Sequence, residues 1–143
     1  MEKSLVLSVS LGTGCYRHIQ ISEGATLYML SSAILESVSF DNDHLHSFFM
    51  GNRFWDGDNE YASPDGPEPE GARGYSDKVK LANFRLRKGD KFLYLFDYGD
   101  EWRFQIKVLR AIDEPTKTPI VLKSVGEISQ YDFDEGEEYD EGY

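Results

Sequence analysis

A single cysteine, Cys15, is all the thiol chemistry in this 143-residue chain. It can form no intrachain disulfide and no Cys-x-x-Cys or four-cysteine zinc site, and a free thiol fits a reducing compartment. Three histidines make a Ser–His–Asp triad arithmetically possible. Yet there is no Gly-x-Ser-x-Gly segment and no phosphate-cradling glycine loop ahead of a helix. Apolar runs are a few residues long, against the ~20 needed to span a bilayer. The first residues, Met1-Glu-Lys-Ser-Leu, place no cationic stretch before a long apolar one, so a secretory signal is not expected. The expectation is a cytoplasmic protein with no membrane association. Basic side chains are also scarce, 15 against 26 acidic ones, for a formal charge of -11. An anionic surface repels phosphates, which weighs against nucleic-acid binding.

Aromatic residues are plentiful: nine Phe, nine Tyr and two Trp, enough to build a core without staples. The length suits one domain, expected over residues 1–131. The acidic excess is concentrated. Seven of the twelve residues from Asp132 to Tyr143 are acidic and none is basic; without them, 19 acidic face 15 basic side chains, about -4. That tail gains nothing by collapsing and is expected to be flexible, with Tyr131, Phe133, Tyr139 and Tyr143 as possible anchors. A second acidic stretch, Asp56 to Glu70, holds six carboxylates, no cation and Pro64, Pro67 and Pro69. It reads as a solvated surface loop over about 56–76. Between these acidic stretches lie Lys78, Lys80, Arg85, Arg87, Lys88 and Lys91, a basic segment that is either ordinary solvated surface or an interaction surface screened by the acidic tail.

Periodicity supplies the elements. Leu5, Leu7, Val9 and Leu11 alternate with serines and Val6 as in a half-buried strand. Gly12-Thr13-Gly14 is a turn and Cys15 to Ile21 alternates again, giving a β-hairpin. Thr26 is a suitable N-cap, and Leu27, Leu30, Ile34, Leu35 and Val38 form one apolar stripe on a helix of about three turns. Asp41-Asn42-Asp43 breaks it, and His44 to Phe54 reads as a strand with Leu45 and Phe49 facing away from His44, His46 and Phe48. Val79 to Phe84 suits a single helical turn. Arg87-Lys-Gly-Asp is a turn, and Lys91–Asp97 with Trp102–Leu109 makes a second hairpin. After a break at Asp113–Pro119, Ile120–Leu122 is a short strand. The fold class is α+β: a ββα opening followed by a β-meander, with one main helix packed on a curled, mostly antiparallel sheet. The opening is reminiscent of a β-grasp.

Two constellations carry possible chemistry. His44 and His46, at i and i+2 of a strand, would point both imidazoles to one face. Neutral imidazole is a common metal ligand, and Asp41 or Asp43 would complete a mononuclear divalent site. The plainer alternative packs one histidine in the sheet against a loop. The second constellation is Tyr94-Leu-Phe-Asp97-Tyr98-Gly99-Asp100-Glu101-Trp102. Its carboxylates fit a turn in which an Asp side chain bonds the backbone. Alternatively, Asp97 and Asp100 form the other half of a site with the histidines. Cys15 and His18 point to opposite faces of a strand, which disfavours a nucleophile pair. Alternating aromatics from Lys91 to Arg103 suit cross-strand packing better than base stacking.

The helix Thr26-Leu-Tyr-Met-Leu-Ser-Ser-Ala-Ile-Leu-Glu leads into Phe40-Asp-Asn-Asp-His44-Leu-His46-Ser-Phe48. Val79-Lys-Leu and Lys88-Gly-Asp-Lys-Phe-Leu-Tyr-Leu-Phe-Asp97-Tyr98-Gly99-Asp100-Glu101-Trp102 follow. In that order these segments resemble the plasmid pRi-type open-reading-frame-three-like family, over roughly residues 4 to 123. The resemblance implies a small α+β domain with a helix on a curled sheet, and no particular activity. Family members often carry a histidine two residues after the motif tryptophan, where this chain has Phe104. Many end in a Pro-Pro-Glu-Asp-Cys-like stretch, where this chain runs Ser124-Val-Gly-Glu-Ile-Ser-Gln. A third imidazole ligand is therefore missing.

Three functions follow as expectations. The leading one is a non-enzymatic protein-interaction module with a protein partner and no cofactor. The alternative is a divalent-metal-dependent hydrolase, acting for instance on phosphodiesters. His44 and His46 would be its ligands, Asp97 or Asp100 a ligand or base, and Trp102 part of the site. The third is nucleic-acid binding through residues 78–91.

Overall fold

Ser4–Ser10 (β1) and Tyr16–Ser22 (β2) form the expected hairpin, in register from Ser4 opposite Ser22 to Ser10 opposite Tyr16. The computed structural model describes residues 2–67 and 71–130. The half-buried reading of β1 fails at its start, where Ser4, Leu5, Val6 and Leu7 are all buried. β1 lies inside the sheet, and the segment at Glu114 reaches it, with Ser4 Oγ donating to the Glu114 carbonyl oxygen.

Helix α1 (Leu27–Ser37) begins where the sequence places it: the Thr26 hydroxyl accepts from the Met29 N–H at 3.1 Å. It ends earlier than the Asp41 break. The Val38 N–H bonds back to Ile34 and Leu35, and Ser39 adopts a left-handed φ of 61° that turns the chain. Leu27, Leu30, Ile34 and Leu35 press on one face of the sheet against Leu7, Ile19, Tyr94, Phe104 and Ile106 in a single core. Tyr94 is fully buried beneath the helix and shares a 2.6 Å hydrogen bond with Ser31.

The remaining strands are β3 (His46–Phe49), β4 (Glu60–Ala62), β5 (Gly74–Tyr75), β6 (Lys91–Phe96), β7 (Trp102–Ile112) and β8 (Ile120–Val125). With β1 and β2 they form one eight-stranded sheet in the order β5-β4-β3-β6-β7-β1-β2-β8, antiparallel except for β4 beside β5. The α+β class and the ββα opening stand. The meander does not, because β7 returns to pair with β1 and β8 crosses to the far edge on β2. Nor is the sheet a β-grasp: both neighbours of β1, β2 and β7, run antiparallel to it.

The acidic stretch is less exposed than its composition suggests. It contains β4, which pairs with β3, and Glu60 is buried there. Short 3-10 turns at Ser76–Lys78 and Leu81–Phe84 carry the chain beneath α1, and Leu27 donates to the Val79 carbonyl. The acidic tail, 132–143, lies outside the described residues. No helix among the described residues is long and apolar enough to cross a membrane.

Candidate functional site

The two motif segments meet. Asp97 ends β6 at a left-handed φ of 70°, and its N–H donates to the Leu45 carbonyl at 2.8 Å. That strained backbone lets Asp97 Oδ1 accept from the N–H groups of Gly99 (3.0 Å) and Asp100 (3.2 Å), while Oδ2 lies 3.5 Å from His44 Nε2. Asp43 Oδ1 is 3.6 Å from the same nitrogen. Tyr98 Oη donates to the His46 carbonyl at 2.8 Å and lies 2.7 Å from Ser47 Oγ, which donates to the buried Glu60 at 2.6 Å. Burial holds the Tyr98 phenol above its ordinary pKa.

The two histidines nevertheless part company. The strand begins at His46, so His44 precedes it, on the surface. His46 is buried among the rings of Tyr28, Phe48 and Tyr94, with Nε2 2.8 Å from Ser76 Oγ. Removing the ring from water pushes its pKa down to about 4, so it is neutral at pH 7. Among the described residues no group of three His, Cys, Asp or Glu side chains is arranged to hold a metal ion. Asp100 contributes its backbone to the turn, and its side chain is exposed. Trp102 packs edge-on against Phe40, with its Nε1 buried and, among the described residues, without a hydrogen-bond partner. The site proposed from sequence is thus a hydrogen-bonded corner between β3 and β6.

The Ser76–His46 pair has the atoms of a nucleophile and its base, but Ser76 is 0% exposed, so no substrate reaches it. The basic segment is solvent-exposed: Lys78, Lys80, Arg85, Arg87, Lys88 and Lys91 spread over two 3-10 turns, the 87–90 turn and the start of β6. Among the described residues, only Lys78 of these six makes an ion pair, with Asp77 at 3.9 Å.

The sequence profile of the plasmid pRiA4b ORF-3-like proteins matches residues 5–142. The chain belongs to that family. A solved structure from Methanosarcina mazei Go1, described as protein of unknown function MM3350, is similar with a TM-score of 0.65 and 24% identity, covering 87% of this chain and 70% of that one. At that identity the likeness speaks to the fold. No curated protein matches the chain.

In this pRiA4b ORF-3-like protein, exposed apolar side chains gather elsewhere. Of the five large apolar residues exposed among the described residues, four are Met29 on α1 and Ile120, Val121 and Leu122 on β8. Among the described residues, β8 ends the sheet and is paired only with β2. A groove of about 560 Å³ runs between α1 and β8, lined by Tyr28, Met29, Ala33, Pro119 and Val121 among others. A second cavity of about 440 Å³ continues it, sharing Met29 and Pro119. Reading from sequence found the strand and missed the surface. Its signal was present: an aliphatic triplet, Ile120-Val121-Leu122, does not alternate as a one-sided strand should.

Proposed function

We propose that this protein is a non-enzymatic protein-interaction module that captures an extended peptide segment along the outer edge of β8. The observation that carries this reading is the run of exposed aliphatic side chains Ile120, Val121 and Leu122 on the edge strand β8, with Val121 sharing a groove with Met29 of α1. Native proteins usually blunt such edges, because unpaired N–H and C=O groups beside apolar side chains recruit another strand. Strand addition would satisfy those backbone groups, and alternate side chains of the incoming segment would enter the groove along α1.

The partner has a definable chemistry. Side chains turned toward the groove are apolar, meeting Met29, Ala33 and Val121. On the opposite face Lys123 stands over the Tyr16 ring at 5.7 Å and favours an acidic residue in the partner. The register shift opposite His18 and Ile19 breaks the flat edge that long symmetric pairing with a second copy of the chain needs.

A peptide-display selection on the full chain, repeated on Val121→Asp, tests the proposal. Enriched sequences should alternate apolar and acidic residues and bind Val121→Asp at least tenfold more weakly. Val121 is 45% exposed, so the variant should fold normally. Peptides that bind both proteins equally would sink the proposal.

A further inference from the structure

Arg17 is 6% exposed, in a chain otherwise rich in carboxylates, yet no acidic group among the described residues lies within ion-pair distance of it. Its guanidinium is held by carbonyl oxygens. Nε donates to Ser37 at the end of α1 (2.9 Å), and Nη1 donates to Tyr16 (2.9 Å) and Val125 (2.8 Å). A guanidinium has five N–H donors, so the two on Nη2 remain without an acceptor among the described residues. The helix C-terminus offsets part of the positive charge, and a buried cation ordinarily has an anionic counterpart as well.

Arg17 also lines a polar cavity of about 540 Å³ with Val38, Ser39, Ser124, Gly126, Glu127 and Ile128. Two of its lining residues have left-handed backbone. Ser39 holds a left-handed φ of 61° where the chain leaves α1, and Gly126 holds 81° where it leaves β8. A Cβ at Gly126 would collide with the Gly14 carbonyl oxygen.

We infer that this cavity binds a small ligand bearing a carboxylate or phosphate group, whose oxygens accept from Nη2 of Arg17 and from the hydroxyls of Ser39 and Ser124. Guanidinium and hydroxyl donors around an oxyanion form the strong, charge-assisted class of hydrogen bond. The volume suits a small molecule. Glu127 is exposed at the same cavity and repels an anion, which sets an upper limit on affinity and gives the test a second sign.

The experiment is thermal unfolding and calorimetric titration of the full chain at neutral pH with inorganic phosphate and, separately, acetate, against chloride at matched ionic strength. A saturable rise in midpoint with either anion, absent with chloride, is expected. Phosphate alone would assign a phosphate ligand and acetate alone a carboxylate. Arg17→Lys should weaken binding at least tenfold, but it also disturbs the hydrogen bonds that tie Arg17 to Ser37 at the end of α1, to Tyr16 and to Val125. Ser124→Tyr is therefore the cleaner variant: Ser124 is exposed, and a ring there fills the cavity while leaving the Arg17 contacts intact. It should abolish the response without changing the midpoint in chloride, and Glu127→Gln should tighten binding several-fold. No saturable response in the unaltered chain, or an equal response in Ser124→Tyr, would overturn the inference.

Discussion

His46 stands against Tyr28, Phe48 and Tyr94 with its Nε2 2.8 Å from Ser76 Oγ, and burial lowers its pKa to about 4 from 6.5. The unfolded chain therefore binds a proton at this ring between those values while the folded protein does not. Stability from the neutral ring is fully present above pH 6.5 and is lost as pH falls toward 4. The loss is about 1.4 kcal/mol per pH unit, on the order of 3 kcal/mol in all. His46→Gln cannot titrate and can still bond Ser76. Denaturant unfolding from pH 7 to 4 should show a shallower fall for the variant, and parallel curves would refute this role. At this scale the sequence was half legible. The His-x-His segment pointed to a strand but started it two residues early, at His44 instead of His46, and could not distinguish a ring packed under a helix from one on the surface. Ser76 and Arg17 were invisible because their partners lie 30 and 20 residues away.

Helix α1 was legible almost to the residue, since its cap, stripe and length are local properties. Ile34 is fully buried against the sheet, so Ile34→Ala should cost about 2–5 kcal/mol. Thr26→Ala, which removes only the cap to Met29, should cost about 1 kcal/mol. Urea unfolding of both variants checks the ratio, and no loss for Thr26→Ala would mean that the helix end is held by something other than its cap. The strands were read less well where pairing is nonlocal. β3 is shorter than expected because Asp97 and Tyr98 fasten its first residues and the chain turns away after Phe49. β4 was hidden inside an acidic stretch because composition cannot reveal that Glu60 has Ser47 as a buried hydrogen-bond donor.

At the scale of the whole molecule, the described residues form a sheet covered by one α-helix, and the two edges of that sheet differ. One ends in the two-residue β5 and the other in the six-residue β8, with three exposed aliphatic side chains in succession. Strand order was beyond reach from sequence, because placing β7 between β6 and β1 depends on contacts spanning about a hundred residues, as from Ser4 to Ile112. Without that order, nothing marked Ile120–Leu122 as an edge. Amide hydrogen exchange across Ile120–Val125, with and without a selected alternating peptide, tests strand addition most directly. Strand addition predicts that the peptide slows exchange at the β8 amides that do not donate to β2 and leaves β5 and the 41–46 segment unchanged. Unaltered exchange along β8 in the saturated complex, or slowing confined to another surface, would contradict it.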